Sequence, residues 1–421
     1  MKRTKFDVVV VGGGPAGSTL AARLGRAGLH TLLLEKKRFP RFKPCGEFMS
    51  PECLPILAEL GVADDVSLLG AARVGGMRLH GYTRTATGRF CDVGAARAPF
   101  AYGWAVRRER FDAVLLRAAA ATPDVEVRQA TAVVAVRRDA HGAVVGLRVA
   151  DARGEHEIDA RMVVGADGLR SRVARELGVQ RPMAWLDKLA LTTRYVGVPR
   201  QECAQVHFFP GGYFAATTVD EDVFSLNLVV DRARVGERTG DWNAFLASHL
   251  DRAPRLAEIL QGAQRIDSVR GCGPLAMATT AQTFDGAALV GDACGYVDPV
   301  TGEGIFFALR GAQLLAPVLI EALADGDLRR RALSPYVSAR RREFGPRLRL
   351  AKLLQRGLRH PRVVDRVLAL LSARPRLADL LVSVTGDYVP GRELLRPGVW
   401  WRALRRGHPV PQPMELLRSP R

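Results

Sequence analysis

The sequence predicts a mixed fold, α/β in part and α+β overall: a parallel sheet flanked by helices, an inserted antiparallel sheet and a C-terminal helical region. Three observations predict it. Residues 7–35 follow the order strand, glycine turn, helix, strand, and related patterns return near 161–168 and 287–323. Residues 182–271 are instead rich in short β-type runs, with a helical insert near 241–261. From about residue 335 the pattern is helical and basic, which completes the expected architecture.

The first unit carries the clearest local signal. Four valines (Val8 to Val11) lead into the loop Gly12–Gly17, and a second apolar run ends at Glu35. This order is typical of a Rossmann-type turn, in which the glycines allow a tight bend and bring backbone N–H groups close to a pyrophosphate. The N-terminus of the following helix favours the same negative charge. We therefore expect a dinucleotide here, with its ribose hydrogen-bonded to Glu35.

Length and composition limit the remaining possibilities. The chain has 421 residues, of which 48% are hydrophobic, so two or three subregions with a sizeable core are expected. No run approaches the ~18 apolar residues of a spanning helix. The absence of a leader-like N-terminus predicts a cytoplasmic protein, with peripheral membrane contact left open. The six cysteines have no CxxC spacing, which predicts reduced thiols and no metal site.

The positive charge is concentrated at one end. The net charge is +19, and residues 328–421 hold 22 Lys and Arg against 6 Asp and Glu. A basic helical tail with an apolar face predicts docking to an anionic membrane surface or to an acidic acyl carrier protein. A helical cap over the substrate domain, with its arginines in solvent, is an equally open interpretation. Nucleic acid is disfavoured as a partner because no recognition motif accompanies the charge.

Prolines divide the chain at both ends. Pro40, Pro44 and Pro51 keep the segment after Glu35 out of a helix, so the Cys45-Gly46 loop is placed to lie against a bound cofactor. In the tail, breaks are expected at Pro346, Pro361 and Pro375, and Trp400-Trp401 suits an interfacial anchor or a core plug. We assign 1–70, 101–181 and 272–334 to the nucleotide-binding domain, 71–100 and 182–271 to a β-rich substrate domain, and 335–421 to a basic C-terminal helical region.

Three motifs in one order carry a family resemblance. They are the glycine loop with Glu35, Gly165-Ala166-Asp167-Gly168 with Ser171, and Gly291-Asp292 followed by Gly302-Glu303-Gly304. Together they resemble the superfamily of FAD-dependent monooxygenases and reductases, which includes aromatic hydroxylases, geranylgeranyl reductases and flavin halogenases. The resemblance covers roughly residues 5–325 and implies bound FAD. Because only one nucleotide-binding unit is evident, NAD(P)H is expected as a transient electron donor, or electrons come from a partner protein.

The resemblance also implies which residues contact the FAD. Carried over position by position, they are Gly12, Gly14, Pro15, Ala16, Gly17, Glu35, Lys36, Cys45, Gly46, Arg108, Asp167, Asp292, Gly302, Gly304 and Ile305. Gly302 to Ile305 precede a helix whose N-terminus would stabilise an anionic reduced flavin. Asp167 and Asp292 also suit a structural role as helix caps.

The chemistry is less closely defined than the cofactor. The resemblance favours hydroxylation of an apolar or aromatic substrate, of polyketide or quinone type, through a flavin C4a-hydroperoxide. The alternative is double-bond reduction of an isoprenoid, with Cys45 as proton donor. His207 and Tyr213 are candidate pocket residues, although a histidine inside a strand is more often structural. Dehydrogenation and electron carriage are weaker readings. The flavin halogenases of this superfamily use a lysine to handle hypochlorous acid and carry a Trp-x-Trp-x-Ile-Pro motif. Halogenation is disfavoured because this chain has no lysine between Lys43 and Lys188 and lacks that motif.

Overall fold

The computed structural model of the chain describes residues 6–93, 96–235 and 241–389. In chain order the strands are β1 (Phe6–Val11), β2 (Thr31–Glu35), β3 (Phe48–Met49), β4 (Ala72–Val74), β5 (Gly76–His80), β6 (Thr85–Arg89), β7 (Gly103–Ala105), β8 (Val125–Gln129), β9 (Ala132–Arg138), β10 (Val144–Asp151), β11 (Gly154–Gly165), β12 (Gln180–Pro182), β13 (Lys188–Val196), β14 (Ala204–Phe209), β15 (Gly212–Val219), β16 (Val223–Asp231), β17 (Gln264–Arg265), β18 (Arg270–Cys272), β19 (Met277–Thr279), β20 (Thr283–Phe284) and β21 (Ala287–Leu289). The helices are α1 (Pro15–Arg26), α2 (Cys53–Glu59), α3 (Ala63–Ser67), α4 (Arg108–Ala120), α5 (Arg172–Glu176), α6 (Trp242–Leu250), α7 (Pro254–Ile259), α8 (Gly304–Asp325), α9 (Ser334–Gly357), α10 (Pro361–Ala373) and α11 (Pro375–Thr385).

The first sheet has the strand order β20-β21-β11-β1-β2-β8. All neighbours from β21 to β8 pair in parallel, and β20 closes the edge in the antiparallel direction. The valines of β1 and the leucines of β2 are buried because helices cover the sheet, as the continuous apolar runs predict. In register, Val11 lies beside Gly165, and Gly165 lies beside Leu289. The carboxyl ends of three parallel strands therefore bring the three sequence motifs together.

Helix α8 forms the other side of this core. It packs along α1 and also contacts α2 and α9. Among the described residues it is the one helix that is long and apolar enough, by length and composition, to cross a membrane. Slightly more than half of its most apolar window, 56%, is buried inside the protein. This burial is typical of the core helix of a folded domain.

The second sheet has the order β17-β13-β16-β15-β14-β5-β6, with β18 beside β13. Its pairs are antiparallel, as predicted, except that β5 and β14 run parallel. Parallel strands need a long connection, and here the chain builds several strands of the first sheet between β6 and β13. One face packs against α6 and α7, while alternate residues such as Ala215 and Val229 turn to the opposite face. The predicted fold class is confirmed; the exact domain boundaries stay a prediction.

The described part of the tail, residues 335–389, covers the hairpin β5–β6. Helices α10 and α11 pack on β6 around Ala86, Leu368 and Leu377. Asp365 accepts hydrogen bonds from the amides of Tyr82 and Thr83 at 2.9 and 3.2 Å and from the Thr83 hydroxyl at 2.8 Å. These contacts tie the helical region to the turn of the hairpin. Residues 390–421, including Trp400-Trp401, lie outside the described residues.

One predicted helix break is wrong. Pro361 and Pro375 begin α10 and α11, as expected, but Pro346 lies inside α9. Proline removes one hydrogen bond from a helix. Here Phe344 and Ala351 are buried on either side of it, so packing holds the helix across the gap.

Replacing Asp365 by Ala removes three hydrogen bonds to the β5–β6 turn. We expect the free energy of unfolding to fall by about 1–2 kcal/mol, because two amides and a hydroxyl must find other partners. Urea denaturation measures the loss. Replacing the exposed Asp251 by Ala is the matched control and should change the free energy by less than about 0.5 kcal/mol. Equal effects of the two substitutions would contradict the anchoring role of Asp365.

Candidate functional site

A cleft opens where the carboxyl ends of β1, β11 and β21 meet the second sheet. Its described lining comprises Gly14, Pro15, Ala16, Lys43, Pro44, Cys45, Gly46, Glu47, Phe48, Arg108, Ala166, Gly168, Leu169, Ala190, Thr192, Ala215, Asn227, Val229, Cys272, Leu275, Asp292, Tyr296, Pro299, Gly302, Gly304, Ile305 and Ala308. Most of the residues predicted to hold FAD are in this set. The structure thus brings the start of the chain and residues 292–305 to one place.

The glycine loop forms a cradle that side chains would fill. A Cβ on Gly17 would lie 1.9 Å from the carbonyl oxygen of Gly12, and Gly12 itself has a φ of +108°. Beside Gly14 there is open space, with the Arg41 guanidinium nearest at 3.6 Å from a built Cβ. The first amides of α1 have no partner within the helix. The loop therefore fits the pyrophosphate of FAD by shape, by free donors and by charge.

Glu35 and Arg41 lie beside this cradle. The buried Glu35 carboxylate accepts hydrogen bonds from the amides of Gly13 and Lys37, both at 2.9 Å. Its side chain is thereby fixed at the end of β2, the position expected for a ribose ligand. Arg41 was not predicted; its Nη1 lies 3.3 Å from Asp112 Oδ2 and its Nε lies 3.8 Å from Glu35 Oε1. Lys36 is exposed and stays a prediction.

Arg108 is a buried cation that organises the Cys45 loop. Its guanidinium donates to both carboxylate oxygens of Asp112, at 2.7 and 2.9 Å, and its Nη1 lies 3.4 Å from Cys45 Sγ. Burial alone would lower the pKa of Arg108, but Asp112 and Cys45 outweigh it and raise the pKa above the ordinary value. The permanently charged guanidinium therefore faces the Cys45 thiol.

The segment Cys45–Glu47 is held from both domains. Glu47, at a φ of +62°, donates its amide to Cys45 Sγ at 3.3 Å. Its carboxylate is ion-paired with Arg194 of β13 and accepts the amide of Arg108 at 3.2 Å. Burial raises the pKa of Glu47, although Arg194 acts in the opposite direction. Neither Glu47 nor Arg194 was predicted, because their contact joins positions 147 residues apart.

The two motif aspartates have different surroundings. Asp167 accepts the Ser171 hydroxyl and the amides of Arg172 and Val173, so it caps the start of α5. Burial raises its pKa against these hydrogen bonds. Asp292 instead lines the cleft, with Lys43 Nζ at 3.8 Å. The structural role is thus visible for Asp167, while contacts of either residue with FAD stay predictions.

Buried ion pairs connect the tail to the start of α8. Glu303 precedes the helix, and its carboxyl shares the Arg347 guanidinium with Asp387, at 3.6 and 3.2 Å respectively. Arg347 also donates to the carbonyl oxygens of Val384 and Asp387. Burial raises the pKa of both carboxyls, and that of Asp387 lies well above its ordinary value. The helix N-terminus at Gly304 and Ile305, predicted to face the flavin, is fixed by contacts that the motifs did not reveal.

His207 and Tyr213 are not among the described residues that line the cleft. His207 stacks on His80 with ring centroids 4.2 Å apart, and its Nε2 lies 2.9 Å from the Gln205 amide oxygen. The Tyr213 hydroxyl donates to Asp298, which also lies 3.6 Å from Lys188 Nζ. Tyr213 therefore braces the loop before α8, and His207 forms part of a stacked pair inside the second sheet.

The wall that the second sheet supplies to the cleft consists mainly of Ala and Val side chains and one polar pair, Thr192 and Asn227. Ala190, Thr192, Ala215, Asn227 and Val229 come from three adjacent strands, and the Thr192 hydroxyl donates to the Asn227 amide oxygen at 2.7 Å. Pairing these two polar groups with each other leaves a surface suited to an apolar ligand.

Tyr296 and Cys272 are further lining residues that the motifs did not identify. The ring of Tyr296 lies 3.8 Å from a Cβ built on Gly304, close to the start of α8. Burial and the nearby Asp292 and Asp298 raise the pKa of Tyr296 well above its ordinary value. Its phenol therefore keeps its proton at neutral pH. The available sequence signal was the position of Tyr296, four residues after Asp292 of the Gly291-Asp292 motif.

Replacing Gly17 by Ala should abolish FAD retention, because the new methyl group would collide with the Gly12 backbone. The flavin absorbance of the purified protein measures the bound cofactor. Gly357→Ala, where nothing lies within 4 Å of the new Cβ, is the control and should retain FAD. A fully loaded Gly17→Ala protein would refute this reading of the loop.

The stacked histidines should make folding sensitive to acid. Burial lowers the pKa of His207 to about 3 and that of His80 to about 4. Below pH 6.5 the unfolded chain takes up these protons before the folded chain does, so stability falls as the pH drops toward 4. Urea denaturation measures the free energy of unfolding at pH 6.5 and at pH 4.5. The decrease between these two values should be smaller for His207→Gln than for the wild type, by at least about 1 kcal/mol. His141→Gln, a substitution in an exposed turn, is the control, and its free energy of unfolding should depend on pH as that of the wild type does.

Comparison with known proteins gives the family. The family described as "FAD binding domain" matches residues 5–347. Digeranylgeranylglycerophospholipid reductase 1 of Methanopyrus kandleri is 30% identical over 360 residues, covering 81% of this chain and 87% of the relative. A geranylgeranyl bacteriochlorophyll reductase-like protein of Thermoplasma acidophilum has a TM-score of 0.77 at 24% identity, covering 94% of this chain and 98% of that one.

A flavin-dependent brominase shows the same fold. Its TM-score is 0.81 at 22% identity, with 95% of this chain and 99% of the brominase covered. At this identity the likeness extends to the fold alone. The family match spans the glycine loop, the Asp167 turn and the start of α8, which are the parts that form the cleft. The chain therefore belongs to the FAD-binding-domain family, in the superfamily of FAD-dependent monooxygenases and reductases, and is an FAD-dependent oxidoreductase by family.

Proposed function

We propose that this protein reduces carbon–carbon double bonds in an apolar isoprenoid-type substrate, with FAD as its redox cofactor. The observation that carries the proposal is the Cys45 thiol, which lines the cleft and is oriented by Arg108 and by the amide of Glu47. The small, apolar wall of the second sheet supports an extended hydrocarbon as the ligand. The reductase relative, aligned over most of both chains, supports the same class of reaction.

Saturating a double bond requires two electrons and two protons. When bound, FAD supplies the two-electron chemistry. The residues of the chain must exclude water, hold the substrate and deliver a proton to the substrate carbon. Cys45 is the first candidate donor, because the Arg108 guanidinium at 3.4 Å would stabilise the thiolate that remains. Tyr296 is the second, since its side chain lines the same cleft and its phenol carries a proton.

The electrons must reach the FAD from outside. The described chain contains one strand–glycine–helix unit, formed by β1 and α1, which the FAD would occupy. We therefore propose that NAD(P)H visits transiently or that a reduced protein delivers electrons.

Oxygenation is the second candidate. The apolar wall, with Ala215 and Val229, would also exclude water around an oxygen-activating cofactor. Halogenation has less support, because the brominase likeness rests on the fold and no lysine lies between Lys43 and Lys188. Reduction and oxygenation differ in their need for O2 and in the product.

Anaerobic single-turnover experiments separate these two reactions. The FAD is first reduced with dithionite, and a geranylgeranyl lipid is then added without oxygen. A reductase should reoxidise its flavin and yield a lipid with two more hydrogens, detected by mass spectrometry. Flavin that stays reduced until O2 is admitted, followed by a product that gains an oxygen atom, would instead establish oxygenation.

Replacing Cys45 by Ala should slow anaerobic turnover by about 100-fold or more, the range for loss of a general acid. Tyr296→Phe is tested in parallel, and the larger loss identifies the donor. Cys91→Ala is the matched control, because this half-buried thiol is not among the described residues lining the cleft. Unchanged turnover in both the Cys45 and the Tyr296 variants would show that neither side chain is the proton donor.

A further inference from the structure

Exposed apolar side chains are concentrated on the helical tail. Seven large apolar residues of the described chain are exposed, and four of them lie on α9 and α10. They are Leu353 on α9 and Val363, Val367 and Leu370 on α10, with exposed fractions of 63, 42, 45 and 43%. The other three, Leu68, Phe100 and Ile266, are scattered over the rest of the chain. Scattered apolar residues are ordinary, whereas a cluster calls for an explanation.

Helix α10 carries two apolar stripes side by side. Val364, Leu368 and Leu371 are buried against the β5–β6 hairpin. Val363, Val367 and Leu370 repeat with the same helical spacing, one position earlier, and face solvent. We call these three residues the outer stripe. The inner stripe packs α10 on the protein, and packing within the described residues does not explain the outer stripe.

Arginines border the outer stripe on its other side. By helical position, Arg362 and Arg366 follow it around α10, and both are exposed. Residues 349–366 hold six Lys and Arg and a single acidic residue, Asp365. Asp365 is already engaged by the amides of Tyr82 and Thr83. The basic charge beside the stripe is therefore not neutralised by acidic residues of the same segment.

We propose that the outer stripe and its arginines dock the protein on an anionic membrane surface. In this arrangement α10 lies along the interface, with Val363, Val367 and Leu370 among the upper acyl chains and Arg362 and Arg366 beside lipid phosphates. The outer stripe lies on the outward face of a single helix. A fluid bilayer can adapt to this convex surface, so no complementary groove is needed. The inference does not depend on which reaction the cleft performs.

Vesicle flotation tests the proposal with the full-length, FAD-loaded protein. Wild type should bind vesicles of phosphatidylcholine with phosphatidylglycerol, and binding should weaken on pure phosphatidylcholine and at high salt. The variant Val363→Ser/Val367→Ser/Leu370→Ser should bind at least about tenfold more weakly. The matched control is Leu68→Ser/Phe100→Ser/Ile266→Ser, which removes the three exposed apolar residues elsewhere and should bind like wild type. Retained flavin absorbance and thermal unfolding show that each variant is folded.

A second pair of variants, each of which removes two positive charges, tests whether the position of the arginines matters. Arg362→Gln/Arg366→Gln should weaken binding to anionic vesicles by about tenfold or more. Arg181→Gln/Arg200→Gln, which removes two exposed arginines elsewhere, should not. Wild-type protein that does not bind anionic vesicles, or a stripe variant that binds them as wild type does, would overturn the proposal. Stripe-dependent binding to a purified acyl carrier protein without vesicle binding would also overturn it, in favour of a protein partner.

Discussion

The register of three parallel strands determines where the rest of the site lies. Because Val11 is level with Gly165, and Gly165 with Leu289, three loops from distant parts of the chain emerge at one edge. The contact that closes this edge is the packing of Gly17 on the Gly12 carbonyl, which leaves no room for a side chain. Helix α1 consequently begins directly against the loop, and its free amides face the cleft. The other groups of the site are arranged around this fixed point.

Buried ion pairs then join the second sheet and the tail to that edge. Arg194 of β13 reaches Glu47, and Arg347 of α9 reaches Glu303 at the start of α8. Breaking such a pair leaves a buried charge without a partner, which costs more than the pair contributes when intact. The pairs therefore act mainly as positional constraints. They hold the Cys45 loop and the start of α8, both of which line the cleft.

The sequence predicted the parts of the site whose signal is local. The glycine loop, the end of β2 and the turn at Asp167 each lie within one strand–turn–helix unit, so spacing alone identifies them. Arg41, Glu47, Arg194 and Arg347 escaped prediction because their roles depend on partners far along the chain, as in the pairing of Arg194 with Glu47. Pro346 was misjudged for a related reason: tertiary burial of its neighbours outweighs the local preference for a break.

The tail has two faces that must be separated by experiment. Its inner face supplies Arg347 to Glu303 and Gln355 to Lys188, which in turn lies 3.6 Å from Asp298. Its outer face carries the exposed stripe of α10. Deleting the whole tail would uncover the β5–β6 hairpin and leave Glu303 without its cation, so lost activity would say nothing about docking. Substitutions confined to the outer stripe leave every inner contact intact. Such changes, and those of the exposed Arg362 and Arg366 beside the stripe, separate the two faces and can therefore assign the outer face of α10 to a surface outside the protein.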